Sequence, residues 1–483
     1  MDRDRSLRSY LMSPPALLLL LTAVRLAAAA VAPLAPDEAY YWVWSRTLQP
    51  GYLDHPPMVA LWIRLGTTLA GETALGVRLL GPLSGLAGSV LLADAAERLF
   101  PGRRVGVPAA ALLNATLMIG AGAVTMTPDT PLVFFTVVTI WALARVQAEP
   151  RWWLLAGGSA GGALDSKYTG VLPGVAIPLW LLWARLAVML RTPWLWAGGA
   201  LALLLFAPVI LWNAGHDWAS FLKQGGRSAD WAPRHALQYV TELIGAQFAL
   251  ATPGVFVLFA TGLWRAGAGA ARREPAPTLL AALALPGLLL FLQHALGGRV
   301  QPNWLAVLYP PLAIAAALTG ARWWRMAAGL GLGLTALVYL QAAAAPLPLP
   351  RGLDPTLIRL AGWDGVAREA EALRRESGLA FLASEDYSQA AELTWWAPPG
   401  TEVVGAERRW SLFRLPQPAP GIGLLLISER RHGAPDPALW SEATEIGRVV
   451  RSRAGVEAEA FRVYRATLRA GVSAAELPRP GGK

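Results

Sequence analysis

Residues 35–65 read APDEAYYWVWSRTLQPGYLDHPPMVALWIRL, a polar and aromatic stretch directly behind an apolar run from Ala16 to Val31. That run is about the length a helix needs to cross a hydrocarbon core. It is too long for a signal-peptide core and lacks a convincing cleavage site, so it reads as a retained first membrane helix. Arg3, Arg5 and Arg8 ahead of it put the N-terminus in the cytoplasm and the 35–65 stretch outside.

Working outward, apolar stretches recur at about 74–97, 105–124, 130–147, 152–164, 169–189, 193–212, 252–266, 276–296, 303–320 and 326–345, giving about eleven spans. Alternation from an inside N-terminus gathers Arg98, Arg103, Arg104, Arg151, Arg185, Arg191, Arg265, Arg272, Arg273, Arg322 and Arg325 in short cytoplasmic loops. A miscount by one span scatters them to both faces. The 483 residues are 54% hydrophobic and only 15% charged, which excludes an ordinary cytosolic protein, a disordered chain and a small disulfide scaffold. The formal charge of +10 is almost all arginine, since lysine occurs only at Lys167, Lys223 and Lys483. In a soluble chain that excess suggests nucleic acid; here membrane orientation accounts for it, and no nucleic-acid partner is expected. The absence of cysteine rules out disulfides, thiolate metal sites and a cysteine nucleophile.

The expected organisation is a membrane domain over 1–345, with outer loops at 33–73 and 213–252, followed by a soluble extracytoplasmic α/β domain over 346–483. The tail begins with the proline-rich LPLPRGLDP. In it Val366–Ser377 reads as an amphipathic helix, Gly423–Ser428 as a buried strand and Pro437–Arg448 as another helix.

The densest polar cluster is the quoted stretch, where Asp37, Glu38, Arg46, Asp54 and His55 sit among Tyr40, Tyr41, Trp42, Trp44, Tyr52 and Trp62. Rings at this place suit the lipid–water boundary. Taken alone, Asp37-Glu38 has a structural explanation: Pro36 starts a helix and the acids complement its positive end. Asp129, in Thr125-Met126-Thr127-Pro128-Asp129, reads as a helix cap, and Lys167, in DSKYTG, as a snorkelling cation. Lys167 is unusual in being a rare lysine on the outer side. Two other outer segments carry charge: Gly298–Trp304 holds Arg299 and Asn303, and Asn213–Ala251 holds His216, Asp217, Lys223, Arg227, Asp230, Arg234, His235 and Glu242. Arginines outside suit an anionic ligand such as a phosphate or a lipid headgroup. Phosphate-loop, zinc-protease, nucleophile-elbow and dinucleotide-binding motifs are missing, so the energy for a reaction comes from the substrate.

An inside N-terminus, a first outer loop opening with Asp-Glu, then GYLDHPP, TPD, a short span leading to SKYTG, and QPNW before a final outer domain together resemble bacterial membrane glycosyltransferases of family 39. That group includes the dolichyl-phosphate-mannose protein mannosyltransferases and the aminoarabinose and galacturonic acid transferases of lipid A. The resemblance covers nearly the whole chain and is densest between about residues 33 and 170. It implies an all-α polytopic GT-C membrane fold with a small C-terminal α/β domain. It also implies a catalytic aspartate at Asp37, with Glu38 as its companion.

The implied reaction moves a sugar from a polyprenyl phosphate to a hydroxyl of a lipid, glycan or protein acceptor at the outer face of the bacterial cytoplasmic membrane. Such a transfer needs a carboxylate to take the acceptor proton and cations to stabilise the leaving phosphate. A single carboxylate with direct displacement inverts the anomeric centre, by analogy with glycoside hydrolysis. On this reading Asp37 is the base, Glu38 and Asp129 orient acceptor or sugar, and Lys167 and Arg299 meet the phosphate. Tyr168 and Asn303 complete the substrate-binding set, together with Asp54 and His55, which shape the first loop. No cofactor is required, although a divalent cation is compatible with the scheme. The alternatives are a transporter or lipid flippase, which usually shows paired halves, and a receptor or scaffold, which leaves the acidic loops without a purpose.

Overall fold

The computed structural model describes residues 13–225, 233–431 and 433–480; Arg3, Arg5, Arg8, Arg227, Asp230 and Lys483 lie outside the described residues. Among the described residues, six helices are long and apolar enough to cross a membrane: Pro14–Val31, Ala74–Leu99, Pro193–Ala214, Pro253–Ala271, Pro275–Ala295 and Trp324–Ala344. Met58–Ala70, Asp129–Leu143 and Tyr168–Trp183 are apolar but shorter. Some apolar stretches are broken. The 105–124 stretch becomes two helices, Gly106–Asn114 and Leu117–Gly122, because Thr116 takes an extended backbone and its side chain accepts the Ile119 N–H, capping the second. The 303–320 stretch starts as a 3-10 turn, Pro302–Leu308, before the helix Tyr309–Ala317.

The chain forms two compact units, one made of Met1–Ala27, Pro50–Trp62 and Arg78–Leu337, the other of Ala28–Gln49, Ile63–Val77 and Val338–Lys483. The first is a helical bundle. Its helix Trp152–Ser166 lies between Asp129–Leu143 and Pro193–Ala214. The approach to Pro193–Ala214 is close enough that a Cβ on Gly157 would fall 2.0 Å from the Gly198 carbonyl oxygen, and one on Gly198 2.2 Å from that of Trp153. Small residues at such a crossing let helix backbones meet where lipid gives no hydrophobic drive. Arg25 is fully buried in this unit; its guanidinium donates to Asn114 Oδ1 at 2.6 Å, and Asn114 Nδ2 donates to Ser89 Oγ at 2.7 Å.

The second unit contains the Asp37-Glu38 part of the first loop and a six-stranded sheet, with β1 at Leu382–Ser384, β2 at Val403–Gly405, β3 at Ile422–Ser428, β4 at Trp440–Arg453, β5 at Val456–Leu468 and β6 at Ala475–Glu476. The order is β4-β5-β3-β1-β2-β6. β1 runs parallel to β2 and β3, while β5 is antiparallel to β3 and β4. The expected helix is Trp363–Glu376 and the expected buried strand is β3.

In place of the helix expected over Pro437–Arg448, residues 437–439 form a turn and β4 begins at Trp440. Its apolar spacing fits a helix, but the two-residue Ala454-Gly455 loop has positive φ at both positions, as a hairpin turn that follows strand twist requires. Pairing with β5 then overrides local preference. This edge strand carries exposed carboxylates at Glu442 and Glu445, which discourage further pairing.

Asp354 ties the linker to the hairpin. Its carboxylate accepts from the Thr356 and Leu357 N–H groups, the Thr356 hydroxyl, Gln341 Nε2 at 2.8 Å and Arg453 Nη2 at 2.5 Å. Burial alone would raise its pKa, but these bonds and the Arg453 charge hold it below the usual aspartate value. A carboxyl depressed in the folded state gives stability that is full above its unfolded pKa, and that stability is lost as pH falls through the lower folded value. Asp354→Ala is expected to cost about 3–5 kcal/mol at neutral pH. Thermal melts should show this loss shrinking below about pH 4.

Candidate active site

In the second unit, Ala35 is extended and Pro36 opens the helix Pro36–Arg46, a position where the missing proline N–H costs nothing. Glu38 is fully buried, and its Oε2 accepts the Ala35 N–H at 2.9 Å. This is the reach-back half of a capping box, so at least one Glu38 oxygen serves the helix start. Asp37, one residue earlier, is exposed. Tyr40, Tyr41, Trp42 and Trp44 are all buried within the protein, which corrects their reading as rings at the lipid–water boundary.

The far end of this helix is braced by Glu72. Trp42 Nε1 donates to Glu72 Oε2 at 2.6 Å, Arg46 pairs with the same carboxylate, and the Arg46 guanidinium also donates to Thr67 Oγ1 at 2.7 Å and Ser45 Oγ at 2.9 Å. Sequence reading missed Glu72. The available signal was a lone carboxylate in the Gly71-Glu72-Thr73 turn between apolar helices, with an arginine needing a partner upstream.

In the first unit three distant motifs converge. Lys167 Nζ donates to both Asp129 oxygens, at 2.8 and 2.9 Å, and Asn303 Nδ2 donates to Asp129 Oδ2 at 2.6 Å. Lys167 is 5% and Asp129 8% exposed. Asp129 begins its helix but spends its carboxylate on this cluster, with no side-chain cap bond at that helix start. Lys167 ends Trp152–Ser166 with an extended backbone (φ −159°, ψ 146°), and Asn303 lies in the turn Pro302–Leu308. Lys167 is thus not a snorkelling surface cation.

Other residues expected at a site have local partners. The Tyr168 hydroxyl meets Ser220 Oγ at 2.6 Å, a contact absent from the sequence reading. Asp54 accepts from Lys223 Nζ at 2.6 Å, and its carbonyl accepts from Gln224 Nε2 at 2.6 Å. His55 follows in the same loop, half-buried. Arg299, with its side chain 65% exposed, pairs with Glu242 at 2.9 Å and lies 5.6 Å from the Tyr239 ring centroid. Its charge is answered by a carboxylate. Among the described residues no group of three or more His, Cys, Asp or Glu could hold a metal ion.

Residues 54–212 match the family model described as dolichyl-phosphate-mannose-protein mannosyltransferase. The lipid A galacturonosyltransferase RgtD of Rhizobium johnstonii is 30% identical over 369 residues, covering 74% of this chain and 76% of that protein. Crystal structures of ArnT from Cupriavidus metallidurans share the fold. The form bound to undecaprenyl phosphate aligns with TM-score 0.59 at 16% identity and the apo form with 0.57 at 18%, each covering 93% of this chain and 97% of ArnT. With a relative this similar along three quarters of both chains, and the fold shared across nearly the full length, this multi-pass membrane protein is a glycosyltransferase and belongs to the GT-C membrane glycosyltransferases.

Proposed function

We propose that the protein transfers a sugar from a polyprenyl phosphate to a lipid A-type acceptor at the outer face of a bacterial inner membrane, crossed by about eleven spans. The observation that carries this reading is Asp37: an exposed carboxylate on the first turn of a helix whose remaining side chains are mostly buried and braced. The donor class is supported by the shared fold with ArnT, solved with undecaprenyl phosphate, and the acceptor class by the likeness to RgtD.

In the reaction, the acceptor hydroxyl oxygen forms a bond to the anomeric carbon while its proton passes to the Asp37 carboxylate. The bond from the anomeric carbon to the phosphate oxygen breaks, its electron pair goes to the phosphate, and polyprenyl phosphate leaves. Attack opposite the leaving group inverts the anomeric centre. Glu38 holds the helix start. Within the first unit, Lys167, paired with Asp129, is the candidate cation for a phosphate, and Asp129 and Asn303 are candidates for orienting a sugar.

The test is purified protein in lipid nanodiscs with lipid A and a panel of undecaprenyl-phosphate-linked galacturonic acid, aminoarabinose and mannose, followed by mass spectrometry. Transfer of one of these sugars, with inversion seen by NMR, is expected. No transfer from any of the panel would reject the reading.

A further inference from the structure

We propose that the C-terminal domain is a positioning part of the transfer machinery, and that Arg409 and Tyr387 are the residues through which it fixes the Asp37-bearing helix. The inference rests on Asp37 acting as the base.

Tyr40 lies three residues after Asp37, a neighbouring position on a helix face, and its ring is 1% exposed. It packs edge-on against Tyr387, with centroids 4.6 Å apart at 61°, and against Trp410 at 5.6 Å and 84°. The Arg409 guanidinium stands 3.6 Å from the Tyr387 centroid and 5.5 Å from that of Tyr40, while Glu407 holds its Nε. One cation therefore bridges a ring of the domain and a ring of the acid-bearing helix. Trp42 adds a second contact, edge-on to Trp395 at 5.2 Å.

Both halves of this clamp are rooted in the domain. Tyr387 opens the helix Tyr387–Trp396, whose start is fixed by Asp386 accepting the Ser388 and Gln389 N–H groups. Trp410 lies against β2 at Gly405, where a Cβ would come within 2.3 Å of the indole nitrogen. The clamped helix has only 11 residues, too few to be stable alone, so its place depends on what it packs against. Burial alone would be met by an aliphatic side chain. A guanidinium set over two tyrosines adds a directional attraction, worth more when shielded from water. A displacement of about 1 Å in the first turn moves the Asp37 carboxylate enough to lower turnover by about a hundredfold.

The test combines hydrogen–deuterium exchange of the full chain with transfer kinetics, using whichever panel sugar the wild type transfers. Arg409→Ala and Tyr387→Ala should each speed exchange over residues 36–46 about tenfold and leave β3 and β5 unchanged. Each should lower kcat about ten- to a hundredfold at unchanged KM, while Tyr387→Phe, which keeps the ring, should lose less than Tyr387→Ala in both measurements. Unchanged exchange over 36–46, unchanged kcat, or opening of the sheet together with the helix would overturn the proposal. Exchange needs no donor. A chain that transfers none of the panel sugars would therefore reject the function reading, while exchange still decides whether the domain holds the helix.

Discussion

Asp37→Asn is expected to lower kcat by about 10²–10⁴-fold, the range for losing a positioned general base. The substitution keeps size and hydrogen-bonding reach but cannot take the acceptor proton. Because Asp37 is exposed and the helix start is held by Glu38 and by buried aromatic packing, folding should be intact. Binding of undecaprenyl phosphate, followed by calorimetry, should change little. The contrast is Glu38→Gln, which retains an oxygen for the Ala35 N–H and should keep most activity. If Asp37→Asn turned over normally and Glu38→Gln did not, the two roles would be reversed.

The second large effect concerns the buried Lys167–Asp129 pair. Lys167→Met leaves the Asp129 carboxylate answered only by Asn303, and breaking a buried pair from one side costs about 3–5 kcal/mol. Replacing both partners with apolar residues of similar volume is often nearly neutral. Lys167→Met with Asp129→Leu should therefore recover most of the lost thermal stability. Transfer should remain at least about a hundredfold down, since a cation facing the leaving phosphate contributes about that much. A double variant that recovered both stability and transfer would make the pair a purely structural element.

Local signals found the helix start at Pro36, the helix Trp363–Glu376 and the buried strand β3, because each is set by nearby residues: a proline, an amphipathic repeat, a short apolar run. The motifs TPD, SKYTG and QPNW were legible as candidates, but not as a cluster. Asp129 and Asn303 are 174 residues apart, and only the folded bundle shows that one carboxylate receives both the lysine and the amide. Sequence failed where a distant partner decides. β4 depends on pairing with β5, and Arg299 finds Glu242 57 residues upstream. The aromatic residues of the first loop misled for a related reason: a ring suited to a lipid boundary is equally suited to a protein core, and Tyr40 and Trp42 have core partners far along the chain.

The most direct test is the side of the membrane on which the acid-bearing helix lies. The chain has no cysteine, so Leu48→Cys, at a 46% exposed position just beyond that helix, gives a single reporter. A membrane-impermeant maleimide applied to spheroplasts, in which only the outer face of the inner membrane is open, should label it fully. Labelling only after the membrane is permeabilised would place the helix in the cytoplasm, away from an outward-facing lipid-linked sugar, and would contradict Asp37 as the base.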